Sequence, residues 1–312
     1  MKPSEFVLSS TTSNEDACVI DYPRVISTNL EDFALVQTLD FITPIVNDAY
    51  DYAVIAAANS LSDIFAMGAK VMSAMNIVAF SECLSQDILK QMIAGLNDTI
   101  NLAGGFCAGG HTLNSSEVFL GLSVTGYVKK DSFLSNNKSL ENDVLIATKP
   151  LGTSLNAMAI KANLDDDFSE CINGMKSLNN KALELLNGIK INACTDITGF
   201  GLIGHLSEML NDKISIEINS DAIKYYKNTL NYANLGLFGA ASYTNKNSLK
   251  GLVKSFIEDD LLLYSPETSG GLIISINEKD TQKALDILQN ANINAYAFAR
   301  VVKKNDNRIC IF

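Results

Sequence analysis

Thr195-Asp196-Ile197-Thr198-Gly199-Phe200-Gly201-Leu202-Ile203-Gly204-His205 is the stretch on which the fold turns. Gly199-x-Gly201-x-x-Gly204 satisfies the dinucleotide fingerprint, and Glu217 and Asp221 stand at about the 20-residue offset where a ribose-binding acid belongs. A hydride-transfer enzyme built on a parallel sheet is therefore one reading. Against it, the apolar run before the motif, Ile191 to Cys194, is short and carries Asn192, and Asp196 occupies the place where an anionic pyrophosphate would approach. A carboxylate there suits phosphate held through a metal ion, because Mg²⁺ takes a few carboxylates together with waters and phosphate oxygens.

Around this stretch the pattern alternates. Ala17–Asp21, Ala34–Ile42, Val71–Phe80 and Val118–Val128 read as strands, with helices over Tyr50–Met67 and Ser85–Ala103. A polar run from Lys129 to Asn142 marks a domain boundary, giving an N-terminal domain over 1–140 and a C-terminal one over 141–312. The second part has strands at Asp143–Ala147, Ile214–Ile218, Leu272–Ile276 and Ala295–Val302, with helical stretches up to Ile189 and over Ala284–Leu288. The class is α/β with mixed sheets.

Composition narrows the function. The 312 residues are 47% hydrophobic with a formal net charge of −11, so the chain buries a large core, and nucleic acid is excluded as an expected partner. Met1 to Phe6 has no apolar core of signal-peptide length, and Asn59, Asp63, Gly68 and Lys70 interrupt the most apolar region, so neither export nor a membrane span is expected and the cytoplasm is. Six scattered cysteines without C-x-x-C spacing read as buried small residues in a reducing compartment.

Other residues can do chemistry. Asn59 and Asp63 share one face of a helix, and on spacing alone that face is solvated. Asp40 interrupts the apolar strand Phe33–Ile42, where a buried carboxylate needs a cation or a donor. Asp16 follows Glu15 at the entry to the first strand. Gly104-Gly105-Phe106-Cys107-Ala108-Gly109-Gly110-His111 reads as a glycine-rich loop whose N–H groups could cradle an anion, without the Gly-Lys-Ser/Thr of a Walker loop.

These blocks, with Thr38-Leu39-Asp40-Phe41, Ser62-Asp63-Ile64-Phe65-Ala66-Met67-Gly68, Thr148-Lys149-Pro150-Leu151-Gly152 and Thr268-Ser269-Gly270-Gly271-Leu272, stand in the order found in the selenophosphate synthetases, or selenide, water dikinases, which the chain resembles from about Asn14 onward. The resemblance implies a two-domain fold like that of aminoimidazole ribonucleotide synthetase, a homodimer joined through the N-terminal halves, and conversion of ATP, selenide and water to selenophosphate, AMP and phosphate. Selenide, free or brought by a selenium-delivery protein, is then the implied partner. Asp16, Asp63 and Asp196 match Mg²⁺ ligands. Ser13, Asn14, Glu15, Asp40 and Asp63 match positions at ATP, and Gly109, Gly110 and His111 a loop that reaches ATP across the dimer. The dinucleotide fingerprint is then coincidental. Rivals are an enzyme of the thiamine-phosphate kinase type and a non-catalytic ATP-binding regulatory homologue.

Two departures stand out. The family's arm with a catalytic cysteine or selenocysteine and a lysine has no counterpart in Met1 to Ser13, so the sequence offers no catalytic nucleophile; an upstream UGA codon read as a stop would explain it. The expectation is a polypeptide that binds Mg-ATP yet makes little selenophosphate, and the DNA upstream of Met1 is the test. Gly239-Ala240-Ala241-Ser242-Tyr243-Thr244-Asn245 also replaces the family's usual glycine pair followed by Thr-x-Arg-Asn.

Overall fold

The computed structural model describes Leu8, residues 15–21 and residues 32–312. The chain divides into two compact units, residues 1–133 with 175–180, and residues 134–174 with 181–312.

In the first unit, β1 (Cys18–Ile20), β2 (Phe33–Ile42), α1 (Ala49–Ala66), β3 (Lys70–Phe80), α2 (Gln86–Leu102), β4 (Phe106–Asn114) and β5 (Phe119–Lys129) follow one another. The five strands form one sheet in the order β1-β2-β5-β3-β4, antiparallel except where β4 runs parallel to β3. Asp48 starts α1 by accepting from the Asp51 N–H at 2.8 Å, and Gly68, at φ +68°, lies just past its end as a left-handed residue usually does. Ala53 and Ala56 to Ala58 keep α1 slim, and α2 meets it at Gly95, whose missing Cβ would fall 2.7 Å from the Tyr50 carbonyl. Ile55, Leu61 and Ile64 fill the space between α1 and its surroundings completely buried.

The glycine-rich segment differs from expectation. Phe106–Asn114 is an edge strand rather than a loop. The glycines read as a loop because glycine is depleted in strands; parallel pairing with β3 orders the segment instead.

The second unit runs β6 (Asp143–Ala147), α3 (Thr153–Lys161), α4 (Ser169–Lys176), α5 (Asn180–Leu185), β7 (Ile191–Asp196), α6 (Gly201–Glu208), β8 (Ile214–Ile218), α7 (Thr229–Asn234), α8 (Ala240–Ser248), β9 (Val253–Ser255), β10 (Leu272–Asn277), α9 (Glu278–Asn290), β11 (Tyr296–Lys303) and β12 (Ile309–Ile311). The end of α4 belongs to the first unit by its contacts. Seven strands lie in the order β7-β10-β6-β11-β8-β12-β9, over a core that includes Leu145, Ile203, Leu206, Ile216, Ile273 and Phe298. This order rules out the dinucleotide unit. β7 sits at an edge, antiparallel to β10, and β10, β6 and β11 separate it from β8, whereas the fingerprint needs a parallel neighbour across its helix.

Three of the cysteines, Cys171, Cys194 and Cys310, are buried as expected; Cys83 is exposed and Cys107 half-buried, because each lies beside a turn or on the sheet edge rather than in the core. Among the described residues no helix is long and apolar enough to cross a membrane.

One buried acid organises the second unit. α3 begins after Gly152, which has no side chain to cap it, and Glu267 supplies the acceptor instead: its carboxylate takes the N–H of Gly152 (2.8 Å), the N–H of Thr153 (2.9 Å) and the Thr153 hydroxyl (2.6 Å). Burial pushes this carboxyl up from 4.5 to about 7 even though the three donors pull it down. The folded value lies above the unfolded one, so the stability contributed by this group is complete below about 4.5 and is lost as pH rises through about 7. In Glu267→Gln, the amide NH₂ must face an N–H donor, costing about 1–3 kcal/mol. Urea unfolding from pH 4 to 8 should show that loss at the acid end and a flatter profile across the window.

Candidate functional site

In the first unit the strand-borne and helix-borne acids come together in pairs of cross-links. Thr38 and Asp40 lie on the same face of β2, two residues apart, and Asn59 and Asp63 lie one turn apart on α1. The Thr38 hydroxyl donates to Asp63 Oδ2 at 2.5 Å, and Asn59 Nδ2 donates to Asp40 Oδ2. The Phe41 N–H adds a bond to Asp40 Oδ1 at 2.8 Å, while Ser60 Oγ donates to the Asp40 carbonyl at 2.9 Å. Asn59 is only 4% exposed and Asp63 half-buried, so the polar face of α1 is turned toward the sheet rather than fully to solvent. The reason is energetic: the carboxylate on β2 needs donors, and a buried asparagine provides one at the right height on the helix. Beside Asp63, Ser62 is buried and accepts from Asn179 Nδ2 at 2.9 Å, and Lys176 pairs with Asp51.

Glu15 and Asp16 stand half-buried just ahead of β1, which pairs with β2 in the register Cys18↔Gln37. Ser13 and Asn14 lie outside the described residues. Gly109, Gly110 and His111 are exposed on β4, at the opposite edge of the sheet from β1. Their local shape is set by a bulge: the register with β3 shifts between Ala74 and Asn76, Gly110 takes φ +154°, and a Cβ there would lie 2.3 Å from the Asn76 carbonyl. Three strand spacings of about 4.8 Å put β4 roughly 14 Å from β2.

In the second unit three sequence blocks meet at one end of the sheet. Asp196 ends β7 and is 1% exposed. The Ile197 N–H donates to Gly271 at 2.9 Å, the Glu267 N–H to the Thr198 carbonyl at 2.9 Å, and the Thr268 N–H to Thr153 Oγ1 at 2.8 Å. His205 on α6 accepts the Thr198 N–H on Nε2 at 3.0 Å, which leaves Nδ1 to carry the proton toward Glu208, 3.3 Å away. Asn245 on α8 donates to Gly199 and Tyr264, each at 3.0 Å, so the segment that departs from the family pattern is tied to the Asp196 loop.

Sequence reasoning placed no role on Lys149, Glu267 or His205. Each is buried, and a charged residue next to a proline or inside a glycine-containing turn gives no signal of burial in the sequence. The available signs were that Lys149 and His205 fall inside the blocks singled out above and that Glu267 directly precedes one of them.

Two family profiles cover the chain: "AIR synthase related protein, N-terminal domain" matches residues 14–128, and its C-terminal counterpart matches residues 141–311. A selenide, water dikinase of Campylobacter jejuni strain RM1221 is 45% identical over 314 aligned residues, covering 100% of this chain and 90% of the relative. Another, of Caldanaerobacter subterraneus subsp. tengcongensis, is 39% identical, covering 99% and 89%. Among solved structures, the hydrogenase maturation protein HypE of E. coli superposes with a TM-score of 0.72 at 16% identity, covering 98% of this chain and 89% of that one. Thiamine-monophosphate kinase of Stenotrophomonas maltophilia gives 0.68 at 16%, covering 98% and 91%. At such identities the two structures share the fold alone.

The bulge makes a prediction. Gly110→Ala should open the β3–β4 pairing, and hydrogen–deuterium exchange of the amides from His111 to Asn114 should speed up by at least tenfold while α1 is unaffected.

Proposed function

We propose, from the premise that this chain belongs to the selenide, water dikinase family of AIR synthase related proteins, that it makes selenophosphate from ATP, selenide and water, releasing AMP and phosphate. The single observation that carries this reading is similarity to such an enzyme at 45% identity over the whole of this chain and 90% of the relative. The thiamine-phosphate kinase alternative has only a shared fold behind it.

The acids take the roles implied by their positions. Asp16, Asp63 and Asp196 are the Mg²⁺ ligands, and the donor set suits that ion, since carboxylate oxygens are the hard ligands it takes beside phosphate oxygens. When bound, Mg²⁺ neutralises charge on the phosphoryl groups in transfer. The chain's own part is positioning. Thr38 fixes the rotamer of Asp63, and Asn59 with the Phe41 N–H holds Asp40 in place at ATP. Ser13, Asn14 and Glu15 match family positions at the same nucleotide.

Gly109, Gly110 and His111 serve a nucleotide on a second copy. Support comes from the sheet: within one chain these residues stand on the far edge from Asp16 and Asp40, and a partner closes that gap. Further support comes from its face away from α1, where Phe33, Leu39, Phe41, Met72, Met75 and Tyr127 are exposed together, an apolar area suited to burial in a homodimer. A cytoplasmic location fits both the acidic composition and a reaction that consumes ATP.

The test is AMP formation by the full gene product under anaerobic conditions. Selenide-dependent AMP is expected, and Asp63→Asn should lower kcat/KM by a factor of about 100 or more. ATP binding with no AMP at any selenide concentration would overturn the reading in favour of a regulatory homologue. Separately, Phe41→Asp should convert the dimer to monomer in sedimentation equilibrium, with unchanged circular dichroism.

A further inference from the structure

Lys149 is a long ammonium side chain only 6% exposed, at the end of β6. Its Nζ donates to the Ser269 carbonyl at 2.9 Å, and Ser269 adopts φ +48°, a left-handed conformation costly for a residue with a Cβ. Register brings the other charge close. Leu272, the first residue of β10, pairs with Asp196 of β7 on one side. On the other side it exchanges bonds with Thr148: the Leu272 N–H donates to Thr148 Oγ1 at 2.8 Å and the Thr148 N–H to the Leu272 carbonyl at 3.1 Å. Gly271 lies so near Lys149 that a Cβ would sit 2.5 Å from its backbone nitrogen. Lys149 and Asp196 therefore emerge from β6 and β7 on either flank of the same turn. Burial drags the lysine down to about 7, and the Asp196 carboxylate pulls it back up, so the two charges act on each other.

We propose that Lys149 is the resident counter-cation of Asp196: it neutralises the buried carboxylate in the metal-free protein, and a divalent ion bound at Asp196 works against its charge. The inference rests on the reading of Asp196 as a metal ligand. A buried carboxylate deprived of its partner is strongly destabilising, whereas two cations sharing one carboxylate repel each other. Removing the ammonium therefore does two opposite things. It weakens the metal-free fold and strengthens divalent binding. A lysine that served only to hold the Ser269 turn would do the first without the second.

The full chain, without nucleotide, is titrated with Mn²⁺ by electron paramagnetic resonance, and its thermal unfolding is followed with and without Mn²⁺. Lys149→Met is expected to lower the melting temperature in the absence of metal, to bind Mn²⁺ roughly tenfold more tightly, and to gain more stability from Mn²⁺ than the parent chain does. Lys149→Arg, which keeps the charge, should stay within about threefold of the parent affinity. Unchanged or weakened Mn²⁺ binding in Lys149→Met overturns the proposal. Lys149→Gln repeats the measurement if the methionine variant does not fold, and failure of both to fold even with Mn²⁺ also overturns it. Asp196→Asn separates the two layers: loss of the Mn²⁺ site there keeps the metal-ligand reading whatever Lys149 does, while parental affinity in Asp196→Asn overturns that reading and the proposal with it.

Discussion

The bond from Asn59 to Asp40, with its neighbour from Thr38 to Asp63, is the constraint around which the first unit is arranged. Carboxylates set into an apolar strand and an apolar helix lose water, and the loss is tolerable only if donors stand opposite. Each element supplies a donor for the other's acid, so the pair works in both directions. Ser60 adds a third tie, accepting from the Leu122 N–H while donating to the Asp40 carbonyl. Helix and sheet are thereby held at one height. Acids held this rigidly are suited to phosphoryl transfer, in which placement and charge neutralisation do most of the catalysis.

The second unit solves a related problem with a different arrangement. Its charged groups lie where strands end, and each is buried against backbone. Glu267 meets the open N–H groups of α3, Lys149 meets the Ser269 carbonyl, and Asp196 closes β7 between them in sequence. Burial shifts Glu267 up and Lys149 down toward the same range near neutrality, so this end of the sheet holds charge at the edge of what the interior tolerates. Perturbed values of this kind cluster at functional sites.

Most strands and helices were legible because their periodicities are long and clean. Ile214–Ile218 and Asp143–Ala147 alternate or run apolar with clear turns beside them, and the structure has them at those bounds. β4 was not legible, since Phe106-Cys107-Ala108-Gly109-Gly110 carries no strand signal and is ordered by its pairing with β3. The face of α1 bearing Asn59 read as solvated for the same reason. Spacing tells which residues share a face, and only the partner packed against that face decides whether it is wet. The dinucleotide fingerprint failed in the opposite way: its glycines are real and open α6, but the strand before them is an antiparallel edge strand.

The amino-acid sequence by itself determined the mixed α/β class, the family, and which acids stand at the implied ATP and metal positions, because these follow from local patterns and from the order of short blocks. Only the tertiary structure decided that Asn59 and Thr38 hold Asp40 and Asp63, that Glu267 caps α3, and that Lys149 shares a turn with Asp196. Those facts join residues far apart in the chain. Hydrogen bonding and Coulomb interaction depend on distance through space and on loss of water, and neither quantity is written in the spacing of residues along the sequence.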